Sequence, residues 1–106
     1  MAQFDVHRNK GKNQDAIPFV VVVQSSLFDD YRRRLVVPLV RKSELARLGN
    51  ASFNPTFRIS RILVVLHPLE MVSVSLDALG EQVDSLAGDG DRICEALDQL
   101  LTRAWG

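Results

Sequence analysis

The sequence predicts an α+β fold, mainly β, in which antiparallel strands are closed by one amphipathic C-terminal helix. Two patterns carry this expectation. Up to residue 87 the apolar residues gather in short, Val- and Ile-rich runs separated by Gly, Pro and Asn, the signature of strands and turns. After Gly90 the period changes, and Ile93, Leu97, Leu100 and Ala104 fall on one stripe at about 100° per residue. The 106 residues suffice for one core but not for two separate ones, so residues 1–106 read as a single domain.

The elements follow in order. Gln3–Arg8 reads as a strand, with Phe4 and Val6 on one side and Gln3, Asp5 and His7 on the other. Asn9–Asp15 is polar, contains Gly11, and reads as an exposed loop. Phe19–Val23 is apolar on both faces, which suits a strand covered on both sides. Ser25–Arg34 reads as a polar connection. In the strand Leu35–Leu39, Pro38 cannot donate to a ladder and is expected at an edge or at the strand's end. Ser43–Leu48 predicts a short helical turn capped by Ser43 and stopped by Gly49. Asn54-Pro55 marks a turn. Thr56–Ile59 and Ile62–Leu66 are expected to pair across Ser60-Arg61. Met71–Leu76 alternates, with Val72, Val74 and Leu76 on one side. The final helix has Asp89 or Asp91 as N-cap. Cys94 and Leu101 extend its apolar stripe, and Asp91, Arg92, Glu95, Asp98, Gln99, Thr102 and Arg103 cover the opposite face.

Composition narrows the function classes. Thirteen basic residues balance thirteen acidic ones, whereas proteins that live on phosphate contacts usually carry a basic excess. Direct nucleic-acid binding is therefore not expected. A single cysteine excludes an internal disulfide and a cysteine-based metal site. The longest apolar run, Ile17–Val23, is far below the roughly 20 residues of a membrane span. Met1–Asp5 lacks the basic-then-apolar pattern of a signal peptide, so the expected location is cytoplasmic.

Few residues invite chemistry. His7 reads as an exposed strand residue and His67 as a turn residue before Pro68, and neither has metal-ligand spacing. Cys94 reads as a packing residue, since free cysteines are usually buried. Glu81, Asp84, Asp89 and Asp91 lack the EF-hand pattern and read as capping and solvated residues. Arg32-Arg33-Arg34 reads as a solvated connection rather than an anion clamp. Gly88-Asp89-Gly90 lacks the Lys-Ser/Thr of a phosphate-binding loop. No enzyme, cofactor or metal is expected. Trp105 stands apart, because the helix stripe is complete without it and tryptophan is enriched where partners bind.

Several segments together resemble the CcdB family of toxins: Gln3-Phe4-Asp5-Val6, Val21-Val22-Val23-Gln24-Ser25, Arg33-Arg34-Leu35-Val36-Val37-Pro38-Leu39, Asn54-Pro55-Thr56, Val72-Ser73-Val74-Ser75 and Gly80-Glu81-Gln82-Val83-Asp84-Ser85-Leu86. Their order and spacing run nearly end to end. The resemblance implies an SH3-like barrel with a C-terminal helix, assembled as a homodimer. It implies a non-enzymatic toxin of a type II toxin–antitoxin module, of the kind linked to plasmid maintenance. Such a toxin binds the DNA gyrase A subunit, traps the cleaved gyrase–DNA complex, and is neutralised by a CcdA-like antitoxin. The family's terminal Trp-Gly-Ile is the poisoning element, and its matching positions here are Trp105 and Gly106. The sequence ends one residue before that Ile. It also carries Val22 where many members have Asp, a strand position expected to matter for packing. Two other readings stand beside this one: a MazF-like endoribonuclease on the same fold, and a CcdB homologue that keeps antitoxin binding but has lost poisoning.

Overall fold

The computed structural model describes residues 1–45 and 51–103, apart from the side chains of Thr102 and Arg103. Seven strands form one curled antiparallel sheet: β1 (Asp5–Asn9), β2 (Phe19–Val22), β3 (Arg33–Arg41), β4 (Thr56–Ile59), β5 (Ile62–Leu66), β6 (Val72–Ser75) and β7 (Leu79–Ser85). The order is β4-β5-β3-β2-β1-β7, with β6 also paired to β3. Helix α1 (Gly90–Asp98) follows β7. The expected mainly-β sheet with one C-terminal helix is therefore the fold observed.

β3 organises the sheet. Along one side Val36–Leu39 pairs with β2. Along the other, Arg33–Val36 pairs with β6 and Leu39–Arg41 with β5. Between these partners the chain leaves the ladder through a 3₁₀ turn, Pro68–Glu70. Pro38 faces that gap. Its carbonyl accepts the His67 N–H at 3.1 Å, and in a strand the nitrogen of a residue points to the same side as its carbonyl. The donor that proline lacks would thus have met no ladder acceptor. Pro38 is not at an edge or an end, as expected, but inside the nine-residue strand, where β3 changes partner.

Both faces of β2 are covered, as its composition predicted. Phe19 and Val21 join Val6, Val37, Leu39, Ile59, Val64 and Leu66 in the main core. Val20, Val22 and Val36 form a second cluster on the other face, against Val74 and Leu79. Val22 is 1% exposed, so the valine at this position serves packing.

The β4–β5 hairpin has the expected bounds. Ser60 and Arg61 both take positive φ, 49° and 69°, the geometry that matches a two-residue turn to the twist of its strands. Other elements differ from expectation in detail. β1 begins at Asp5 and buries Asp5, Val6 and His7 alike. It does so because β2 and β7 flank it and the N-terminal turn covers Asp5, whose carboxylate accepts the Ala2 N–H at 2.9 Å. In β6 the alternation holds in part: Val74 packs against the second cluster while Ser73 and Ser75 are exposed, but Val72 is exposed as well. Ser43 lies inside the turn Lys42–Glu44 rather than capping it, and the rest of the expected turn, residues 46–48 with Gly49, lies outside the described residues. β7, which had no sequence assignment, pairs with β1 through two register shifts.

Gly80 sits at the second shift. A Cβ there would meet both the Cβ and the carbonyl oxygen of Arg8 at 2.9 Å, and backbone cannot give way cheaply. Gly80→Ala is expected to cost about 1–3 kcal/mol, the range for overpacking. Gly88→Ala has open space around the new methyl and is expected to stay within about 0.5 kcal/mol of wild type. Urea unfolding of the two variants measures the contrast.

Candidate functional site

The C-terminal helix is held at its start by close approach. A Cβ on Gly90 would lie 2.8 Å from the ring of Phe4, so glycine lets the first turn rest on that ring. Phe4 itself has φ of 72°, and its backbone is tied on both sides. Its N–H donates to the Val22 carbonyl at 2.6 Å, and its carbonyl accepts from the Leu86 N–H at 2.8 Å. Asp89 is the N-cap residue but makes no side-chain cap bond. Its carboxylate pairs instead with Arg92 at 3.2 Å. The Arg92 guanidinium also lies 4.7 Å from the centre of the Phe57 ring, which clamps the helix over β4.

The buried helix face is narrower than expected and turned to one flank. Ile93 and Ala96 are fully buried, and Leu97 and Leu100 are half-buried. Cys94 and Leu101, placed on the opposite flank of the stripe by the same rotation rule, are exposed. The expectation that Cys94 packs is thus corrected: the sheet covers the Ala96 flank, leaving the Cys94 flank in solvent. A wider π-helical turn, Gln99–Arg103, continues α1. Gln99 ties it to the segment before β4 by donating to Ser52 Oγ at 3.0 Å. Ala104 and the two candidate residues Trp105 and Gly106 lie outside the described residues.

A second feature escaped the sequence reading. The β2–β3 connection, read as polar, exposes Leu27, Phe28 and Tyr31, with Leu27 84% and Tyr31 67% accessible. The Phe28 and Tyr31 rings are 6.4 Å apart, and both line an open depression of about 480 Å³ with Val23, Arg33 and Leu35. Large contiguous apolar surface is what proteins, membranes and ligands dock on, which makes this depression a candidate binding surface. The available signal was three large apolar side chains within five residues of a segment dominated by Ser, Asp and Arg.

The connection is built rather than loose. Gln24 spans it: its amide nitrogen donates to the carbonyls of Phe28 and Arg33, both at 3.2 Å, and its side-chain oxygen accepts the Leu35 N–H at 2.9 Å. Ser25 Oγ accepts the Leu27 N–H at 3.2 Å. Arg34 is the anchor. It is 4% exposed, donates to the carbonyls of Tyr31, Arg33 and Asp29, and lies 3.6 Å from the Asp29 carboxylate. The arginine run is therefore not simply a solvated connection. Arg32 and Arg33 are exposed, as expected, but Arg34 is a buried brace, because its five donors can satisfy a loop that turns back on itself.

The histidines are not gathered into one site. His7 is buried rather than exposed, with Nδ1 2.9 Å from the Gly80 carbonyl and Nε2 without a partner. β7 crosses over it, and nothing in the strand's alternation announced that edge. His67 is half-buried before the Pro68 turn, as read. Among the described residues, no group of three His, Cys, Asp or Glu side chains is placed to hold a metal ion. No helix among them is long and apolar enough to cross a membrane. Glu81 and Asp89 pair with Arg8 and Arg92, in keeping with a solvated acidic stretch.

The family comparison matches residues 3–103 to the CcdB family, described as "CcdB protein". The chain belongs to the CcdB family. Membership marks it as a toxin of a toxin–antitoxin pair. The match ends at Arg103, before Trp105 and Gly106. None of the curated proteins matches this CcdB-family chain. Among solved structures it is similar to an endoribonuclease in complex with its cognate antitoxin from Mycobacterial species. That likeness has a TM-score of 0.74 and 14% identity, and covers 100% of this chain and 99% of the other. At that identity it shows the shared fold.

Replacing Arg34 with Met removes the donors but keeps an apolar stem. The Tyr31 and Asp29 carbonyls then lose the donor that Arg34 gave them, while that of Arg33 keeps Gln24, and the expected cost is about 2–3 kcal/mol. The loss should be local: hydrogen exchange is expected to quicken first at residues 25–34, before the core strands.

Proposed function

We propose that this CcdB-family toxin acts without catalysis, as a homodimer that binds the DNA gyrase A subunit and traps the gyrase–DNA cleavage complex. Trp105 and Gly106 are its working end, and a CcdA-like antitoxin removes it from its target. The observation that carries the proposal is the family match over nearly the whole chain. The exposed surface of Leu27, Phe28 and Tyr31 supports a mode of action by docking on protein. Trapping needs no reacting group in the toxin. A ligand that prefers one gate state of its target shifts the population toward that state by its difference in affinity.

Trp105 suits this role physically. It offers a large rigid face at low entropic cost, the property of side chains that dominate protein interfaces. Gly106 adds no side chain that would block close approach. Antitoxin rescue is then competition: any partner that binds the free toxin more tightly lowers the concentration available to gyrase.

RNA cleavage is the second reading, favoured by the fold likeness to an endoribonuclease. It needs a base within hydrogen-bond reach of the nucleophile it activates. The two histidines of this chain are instead engaged with, or adjacent to, backbone.

A gyrase cleavage assay with the purified chain decides between these readings. Linearised DNA is expected to accumulate with wild type. Trp105→Ala should require at least about 30-fold more protein, the effect of losing an interface hot spot of about 2 kcal/mol. Adding Ile after Gly106 is expected to raise potency. Equal potency of wild type and Trp105→Ala would refute the assignment of the tip. Absence of cleaved DNA, together with site-specific cutting of a long unstructured RNA, would establish the second reading.

A further inference from the structure

The β4–β5 hairpin and the end of β3, with the turn that follows it, enclose a depression of about 430 Å³ lined by Arg41, Lys42, Ser43, Arg58, Arg61, Ile62 and Leu63. Four of the chain's thirteen basic residues meet here, and among the described residues no carboxylate lines the space. Among the described residues none of the four is in an ion pair; the ion pairs described use Arg8, Arg34, Arg92 and the N-terminal amine. Arg41 is tethered, through Nε to the Asp15 carbonyl at 3.0 Å.

The arrangement has a cost that folding alone does not explain. Like charges gathered around one depression repel, and salt screens them fully only beyond about 8 Å. Arg61 moreover occupies φ of 69°, a conformation unusual for a residue with a long side chain. Here the turn geometry carries an arginine where Asn-Gly or Asp-Gly is the common choice. Both features are relieved or used when an anion sits between the guanidinium groups, which can hold carboxylates through paired N–H donors.

We propose that this depression is a docking site for an acidic peptide segment of a protein partner, one whose carboxylates alternate with aliphatic side chains. The carboxylates meet Arg41, Lys42, Arg58 and Arg61. The aliphatic groups cover Ile62 and Leu63, of which Leu63 is 39% exposed and lies directly across the hairpin from Arg58. Two observations favour a peptide over nucleic acid. The lining contains no aromatic ring on which a base would stack, and its apolar residues offer nothing to phosphate or sugar. The proposal draws on none of the residues assigned to the gyrase-binding tip and does not depend on gyrase being the target.

The test uses the full chain and a fluorescent hexapeptide of alternating Glu and Leu. The arms are a Lys-Leu peptide of the same pattern, a Glu-only hexapeptide and a single-stranded RNA hexamer. Binding of the Glu-Leu peptide is expected to exceed that of each other probe and to weaken as salt rises. Arg58→Glu combined with Arg61→Glu should weaken it at least about fivefold, beyond the scale of a single exposed ion pair. Arg32→Glu, an exposed charge change on another loop, should leave it within twofold of wild type, about the scatter of an exposed charge change. Circular dichroism melting verifies that the variants are folded, and because both substituted side chains are exposed, unchanged melting is expected. If the folded double variant binds the peptide as wild type does, or if no peptide binds, the proposal fails. It fails equally if the RNA hexamer binds more tightly than the peptide and loses that binding in the double variant, which would make this a nucleic-acid site.

Discussion

The ladder of β3 is the constraint on which the rest of this molecule depends. One nine-residue strand serves three partners, and its outer side is shared end to end by β5 and β6. Such sharing requires a place where the ladder is broken without leaving buried groups unpaired. Pro38 removes the donor at that place, and the His67 N–H supplies a partner for its carbonyl. The 3₁₀ turn from Pro68 to Glu70 lets the neighbouring strand bend there, so the sheet curls around its core instead of continuing flat. A central strand proline, ordinarily a defect, here sets the curvature.

The functional elements hang from this frame by a few polar anchors. Arg34 lies where β3 begins, and its guanidinium holds the turn that displays Phe28 and Tyr31. At the other side of the sheet, Phe4 joins β2, the end of β7 and the start of α1 through two backbone bonds and one ring contact. Helix and apolar surface are thus fixed through the same β2–β3 pair, Val23 and Gln24 lying next to both. Displacing that pair would move both at once.

Much of the frame was legible because burial writes itself into periodicity. The valine run of β2, the β4–β5 hairpin and the helix stripe each bury a face set by local spacing. The failures are the places where the neighbour, not the strand, decides burial. His7 and Asp5 alternate as solvent residues do, yet β7 and the N-terminal turn cover them. β7 itself has only Leu79 and Val83 as apolar signal, because an edge strand needs little apolar content to be held by backbone bonds. Cys94 and Ala96 flank the same stripe on opposite sides, and no single-helix pattern says which flank the sheet will cover. As for the candidate site, Trp105 was singled out by composition and its role came from resemblance. The Leu27, Phe28 and Tyr31 surface was missed because a docking face has no folding periodicity to betray it.

Net charge illustrates the same point at the scale of the whole chain. A balance of thirteen against thirteen argues against long-range attraction to a polyanion, and that argument holds for the molecule seen from many Debye lengths away. A partner at contact distance sees only the nearest few side chains. Here the carboxylates Glu81 and Asp89 are matched locally with Arg8 and Arg92, whereas the cations around the β4–β5 hairpin are matched by none among the described residues. Exposed pairs contribute little to folding stability either way, so cations left unmatched around the hairpin are where selection on binding, rather than on folding, has room to act.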